Sequence, residues 1–175
     1  AGETTAAMED GALRLTDASA TGMLMYRMRW NADAAGGTEL EARVKLLKAS
    51  AGPCGQCLDF ADGVHEDSLS FYPDRIGLWY AKLDYAMDTT AEFHTYRVAI
   101  RGEDVQVFVD GTLVIDGKGK FKQAAEGQRN AVQFGAGSSR DTGEALWQLM
   151  RFQIREVKPM KIVPPEGVNL SALDR

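Results

Sequence analysis

Apolar and polar residues alternate with period two along most of the chain, which is the signature of strands with one face on a core. "MLMYRMRW" (23–30) sets Leu24, Tyr26, Met28 and Trp30 against Met25, Arg27 and Arg29. "TELEARVKLL" (38–47) sets Leu40, Ala42, Val44 and Leu46 against Glu39, Glu41, Arg43 and Lys45. Shorter strands are predicted over 11–17, 57–62, 68–72, 75–81, 82–88, 131–137 and 144–154. The stretch "HTYRVAIRGEDVQVFVDGTLVID" (94–116) predicts a three-stranded meander. Its inward set is Tyr96, Val98, Ile100, Val105, Val107, Val109, Leu113 and Ile115. Asp110-Gly111 suits a type I′ turn, with both central residues at positive φ. Only "GKFKQAAEGQ" (119–128) hints at a helical turn. About a dozen strands with turns every 8–12 residues predict an all-β sandwich or jelly roll.

The 175 residues fit one domain with a substantial core. We place that domain at 1–158. From 159 to 175 the chain holds three of its five prolines, a composition for an extended tail or linker. "NLS" (169–171) matches a three-residue glycosylation acceptor. The net charge of −5 argues against a nucleic-acid partner. No apolar run reaches 18 residues, so the sequence predicts no membrane insertion. The small, polar opening "AGETTAAMED" suits a chain matured by cleavage or trimmed to begin there.

The two cysteines form "GPCGQC". A turn-closing disulfide between Cys54 and Cys57 is the simplest reading, with free thiols and metal or redox chemistry as alternatives. Asp33, Asp59, Asp62, Asp67 and Asp88 stand in or beside turns. They are of the type that binds calcium, but no spacing assigns ligands, and no cofactor is predicted. His65 and His94 are the only histidines, and no nucleophile elbow accompanies them.

"FHTYRVAIRGEDVQVFVDGTLVIDG" resembles the meander of concanavalin A-like, laminin-G-like jelly-roll domains of bacterial exported proteins. "VQFGAGSSRDTGEALWQLMRFQI" resembles the end of the same fold. The resemblance covers roughly 10–157. It implies an all-β, two-sheet antiparallel jelly-roll sandwich of the lectin/glucanase type, secreted or periplasmic, with a carbohydrate on its concave sheet face. Relatives often carry an Asp after the tryptophan of the last strand, where this chain has Gln148. Hydrolases of the fold resemble one another in a Glu-x-Asp-x-x-Glu strand, and no glutamate here has Asp at +2 and Glu at +5.

A lectin-like binding or adhesion module without catalytic residues is therefore the leading expectation. A glycan-active enzyme with a different motif and a structural accessory domain are the alternatives. Sugar rings stack on aromatics that break the inward pattern. Trp79 and Trp147 are such residues, with Arg27, Arg29, Arg43, Gln133 and Arg151 on outward faces. Gathered on one sheet, these seven would suit an acidic or sulfated glycan through bidentate arginine contacts.

Overall fold

The computed structural model describes residues 3–19, 21–137 and 140–153. Expectations for Ile154, the 159–175 tail and the 169–171 acceptor lie outside the described residues. Thirteen strands form among those described: β1 Thr4–Glu9, β2 Ala12–Asp17, β3 Leu24–Met28, β4 Thr38–Ala49, β5 Cys57–Asp62, β6 Glu66–Tyr72, β7 Arg75–Leu78, β8 Leu83–Ala86, β9 His94–Arg101, β10 Asp104–Val109, β11 Thr112–Gly117, β12 Asn130–Ala136 and β13 Gly143–Phe152. They pair antiparallel into two sheets. One runs β1-β2-β13-β4-β9-β10-β11 and the other β3-β12-β5-β6-β7-β8. The expected two-layer sandwich is present. Among the described residues, no helix is long and apolar enough to cross a membrane.

Alternation places the core. Leu40, Ala42, Val44 and Leu46 of β4 are buried, as are Tyr96, Val98 and Ile100 of β9. Leu58 and Phe60 of β5 and Leu69 and Phe71 of β6 are buried in the same cluster. Asp110 and Gly111 adopt φ of 49° and 84°, the conformation the type I′ turn demands.

Two bulges overturn parts of the alternation. The β13–β4 register shifts between Trp147 and Leu149, because Gln148 is an extra residue. Trp147 then lies opposite Val44 and points inward, while Leu149 and Arg151 point outward. The expectation that Trp147 shares their outer face is corrected: it is 3% exposed and sits in the core. Similarly, the β10–β11 register shifts after Val107, pairing Leu113 with Phe108. Leu113 is 43% exposed, not inward. The sequence offers the first strand, β1, only as a small, polar opening. It is an edge strand with no buried residue, so it carries no inward–outward signal. The hinted helical turn shrinks to one 3₁₀ turn, Glu126–Gln128.

Trp147 packs against Phe134 (4.8 Å between centroids) and Phe71 (5.7 Å) of the opposite sheet. Its Nε1–H donates to Gln56 Oε1 at 3.2 Å. Trp147→Ala is expected to cost about 3–5 kcal/mol. Trp147→Phe keeps much of the packing but strands the Gln56 carbonyl, costing about 1–3 kcal/mol. Urea denaturation of the variants checks both.

Candidate functional site

The sandwich separates the seven residues selected from the sequence. Arg43 and Arg151 lie on the outer face of the seven-stranded sheet. Arg43 donates to Gln148 Oε1 (2.8 Å) and Thr95 Oγ1 (3.3 Å), and Arg151 pairs with Glu41 at 3.0 Å. Arg27 and Gln133 lie opposite each other on β3 and β12, on the outer face of the six-stranded sheet. Arg29 follows β3 and is exposed. Trp147 is in the core. The single basic groove expected from all seven therefore does not form. Each strand's pattern shows which residues point outward, but not which sheet the strand joins.

Register across the six-stranded sheet builds a different constellation. Arg27 faces Gln133, Gln133 faces Asp59, and Asp59 faces Ser68. Trp79, one residue beyond β7, continues the ladder by donating its N–H to Ser68 O at 2.9 Å. Arg27, Gln133, Asp59, Ser68 and Trp79 thus form one row across five strands, about 19 Å from end to end at ~4.8 Å per step. A second row beside it is small: Gly135, Cys57, Ser70 and Gly77 face one another in turn, with Asp84 opposite Gly77. Beyond Ser70 on the same strand face, Tyr72 carries the Arg75 guanidinium over its ring at 3.9 Å. Tyr72, Arg75, Gly77, Trp79, Lys82 and Asp84 line a hollow of about 170 Å³. A Cβ at Gly77 would meet the Asp84 carboxylate, which would have to turn aside, so glycine leaves this floor open.

Trp79 is 40% exposed, yet its backbone is tightly held. The buried Asp67 carboxylate accepts the N–H groups of Ser68 (2.8 Å), Tyr80 (2.8 Å) and Ala81 (3.0 Å). Burial pushes the Asp67 carboxyl above its ordinary range despite those bonds. Lys82 closes the turn with φ of 56° and holds its ammonium 3.7 Å from the Trp79 ring centroid. A buried carboxylate and a left-handed lysine both carry a free-energy cost, and here they fix an exposed aromatic ring.

Asp59 sits at the centre of the row. Burial pushes its carboxyl up, while Ser68 and Arg129 draw it part of the way back. Arg129 donates to Gln133 Oε1 (2.7 Å) and pairs with buried Glu66 at 3.0 Å. The Ser68 and Ser70 hydroxyls are buried without a hydrogen bond of good geometry. Tyr80 lies close enough to Glu66 and Asp59 that, after burial, they also raise its phenol. Cys54 and Cys57 are free thiols here rather than the expected disulfide. A hydrogen bond from Cys57 lowers the Cys54 thiol, and the same contact together with burial raises Cys57. Tyr72, Asp67, Ser68 and Asp84 were absent from the sequence selection. A two-residue Pro73-Asp74 turn could have revealed two of them, since it places Tyr72 and Ser68, with Ser70 between them, opposite Arg75, Trp79 and Gly77.

Wider hollows, about 660 and 290 Å³, lie on the other outer face. Their acids are already engaged: Glu39 with Arg97, Glu41 with Arg151, Asp116 with Gln106 and Asp104 with Gly119 N–H. Among the described residues, Phe152 is the only aromatic lining either, so size there comes with little stacking platform. His94 binds Asp110 through Nδ1 at 2.7 Å, which ties the start of β9 to the β10–β11 turn. The aspartates considered for calcium are dispersed. Asp33, Asp62 and Asp88 each accept backbone N–H groups of their own turn. Among the described residues, no three His, Cys, Asp or Glu side chains form a metal-binding group.

The Asp59 carboxyl titrates higher in the folded chain than in the unfolded one. Ionisation therefore opposes folding: the penalty is absent below the unfolded value, grows as pH rises, and is complete above the folded value. Asp59→Asn should be more stable than the parent at neutral pH, with the gap closing below about pH 4. Denaturant titrations across pH measure this. With a limiting alkylating agent, Cys54 should react before buried Cys57, as peptide mapping would show.

No protein-family model matches the chain, and no curated protein matches it. Solved structures match in fold. A carbohydrate esterase of the Shiga toxin-encoding bacteriophage phi24B is 14% identical with a TM-score of 0.61, over 89% of this chain and 88% of that one. Alginate lyase A1-II′, of polysaccharide lyase family 7, is 12% identical with a TM-score of 0.55, over 85% and 82%. The carbohydrate-binding module CBM66 from Bacillus subtilis is 11% identical with a TM-score of 0.52, over 86% and 92%. At these identities the likeness is one of fold, and it identifies the architecture of this chain as a two-sheet antiparallel jelly-roll sandwich.

Proposed function

We propose that this chain is a non-catalytic carbohydrate-binding module of the concanavalin A-like kind, which takes a glycan on the outer face of its six-stranded sheet. The observation that carries the reading is Trp79: an exposed ring on a backbone fixed by buried Asp67, above a glycine-floored hollow. Sugars bind through one apolar ring face and a set of hydroxyls, and need a rigid aromatic beside polar partners. Asp84, Arg75 and Lys82 supply such partners at the hollow, and Gln133 and Asp59 supply them further along the row. The 19 Å row fits a short oligosaccharide lying across the strands. Three of the fold neighbours act on or bind carbohydrate by their names, which supports a glycan-related role. An exported location, where Cys54 and Cys57 would oxidise, belongs to the same reading.

Trp79→Ala is expected to weaken glycan binding at least about tenfold with little loss of stability, since the ring is exposed. Arg101→Ala, in the wide hollow of the opposite face, should leave binding unchanged. Affinity electrophoresis in polysaccharide gels, followed by calorimetry with the retarding glycan, tests both. Retention of full affinity by Trp79→Ala would transfer the site to another surface. Release of reducing ends during incubation would favour the enzyme reading.

A further inference from the structure

The proposed groove is not lined by one sign of charge, and the distribution has consequences for what it binds. Across the row, cations stand at both ends, and Arg129 reaches Gln133 beside the centre. Arg27 is exposed and has no ion pair or hydrogen bond among the described residues. Lys82 lies over Trp79 at the opposite end. The centre is Asp59, the only carboxylate of the row. Its surroundings offer it no ion pair of its own. Gln133 on β12 is uncharged, and Arg129, just before β12, is engaged by Glu66 and Gln133 through its two terminal nitrogens, with Nε unpartnered among the described residues. From β6, Ser68 is a hydroxyl and Glu66 a second carboxylate. Cys57 on β5, Cys54 in the preceding turn and the Tyr80 phenol complete the groups that feel Asp59 electrostatically. Asp84 adds another carboxylate beside the hollow, 3.9 Å from Arg75 Nε, whose closer partner is Asp74.

We infer that the centre of the groove selects an uncharged sugar ring presenting hydroxyl donors, and rejects a ring bearing a carboxylate or sulfate at that position. This rests on the reading of the six-stranded face as the binding surface. An ionised carboxylate only accepts hydrogen bonds, so Asp59 and Asp84 match hydroxyl groups, and charge assistance makes those bonds strong. An acidic group brought against Asp59 gains no donor from it and meets like charge in a poorly solvated place. The ligand class is therefore a glycan with a neutral ring at its middle. An acidic group is accommodated only toward Arg27. A polymer acidic at every ring does not fit. This differs from the uniformly acidic glycan that the arginines suggested in the sequence, and from what alginate, a polyuronate, would require. Because protonation removes the charge of Asp59, the discrimination weakens in acid.

The test uses size-matched hexamers: a neutral β-glucan, a strictly alternating uronate–N-acetylhexosamine chain, and a polyuronate. At pH 7.5 the parent chain should bind the first or second at least roughly tenfold tighter than the polyuronate. Asp59→Asn should narrow that ratio to about threefold or less by gaining affinity for the polyuronate. Lowering the pH should narrow it in the parent chain without any variant. The inference is overturned if the polyuronate binds the parent as tightly as the other two. It is also overturned if neither Asp59→Asn nor acid changes the ratio while Trp79→Ala abolishes binding; the groove then survives without it. If none of the three hexamers binds, or Trp79→Ala leaves their binding intact, the groove reading falls and takes the inference with it.

Discussion

The Trp147 ring is shared by both sheets, and the rest of the sandwich is arranged around it. It belongs to the seven-stranded sheet but packs on Phe134 and Phe71 of the six-stranded one. Its one polar atom bonds to Gln56, whose amide in turn donates to Leu15 O at 3.3 Å. That chain of contacts joins β13, the turn before β5, and β2. Trp147 faces inward in phase with buried Ala145, and the Gln148 bulge switches the phase of β13 just after it. Beyond the bulge, Leu149 and Arg151 point outward. Gln148 then holds Arg43 on the surface. The inter-sheet spacing at this point is fixed by an aromatic cluster, so the six-stranded sheet has a rigid layer behind it.

That rigidity bears on the outer face. β6 is buried along its whole length, on both sides. Its inward residues are apolar apart from Asp67, and its outward ones are Glu66, Ser68, Ser70 and Tyr72. Burying so many polar groups costs free energy unless each is bonded, and Ser68 and Ser70 are not. The matching strand on the other face, β9, has ion-paired or solvated residues at the equivalent outward places, such as Arg97 with Glu39. The two faces therefore differ in kind. One is a charge-balanced surface with wide hollows, and the other concentrates buried polar groups under exposed aromatics. The second pattern is the one that sacrifices stability, which is the usual mark of a working surface.

Much of the architecture was legible in the sequence. The period of β4 and of the 94–116 meander follows directly from side-chain burial, so these strands could be placed and their inward sets named. Trp147 and Leu113 were misplaced for one reason. A bulge adds a residue without altering local composition, and the pattern on either side of it looks continuous. β1 carried no signal, because an edge strand with both faces open has no reason to alternate. Of the residues selected, Trp79, Arg27 and Gln133 do share the outer face of the six-stranded sheet, whereas Arg43 and Arg151 lie on the other sheet and Trp147 in the core. Direction is a local property of a strand, whereas sheet membership is decided by long-range pairing. Asp67 was missed as a site residue because its partners are backbone amides, which no side-chain pattern records.

Those backbone bonds have one more implication. Asp67 grips the N–H groups of residues 68, 80 and 81, and none of the side chains between them. The turn's shape is thereby uncoupled from the identity of the residues it displays. Trp79 and Tyr80 could be exchanged, singly or together, without removing these bonds, while the left-handed position of Lys82 favours Gly, Asn or Asp among replacements. Under the proposed function, a lineage carrying this domain could drift from one ligand to another through these surface positions. The same positions are the natural ones to randomise in seeking new affinities on this scaffold.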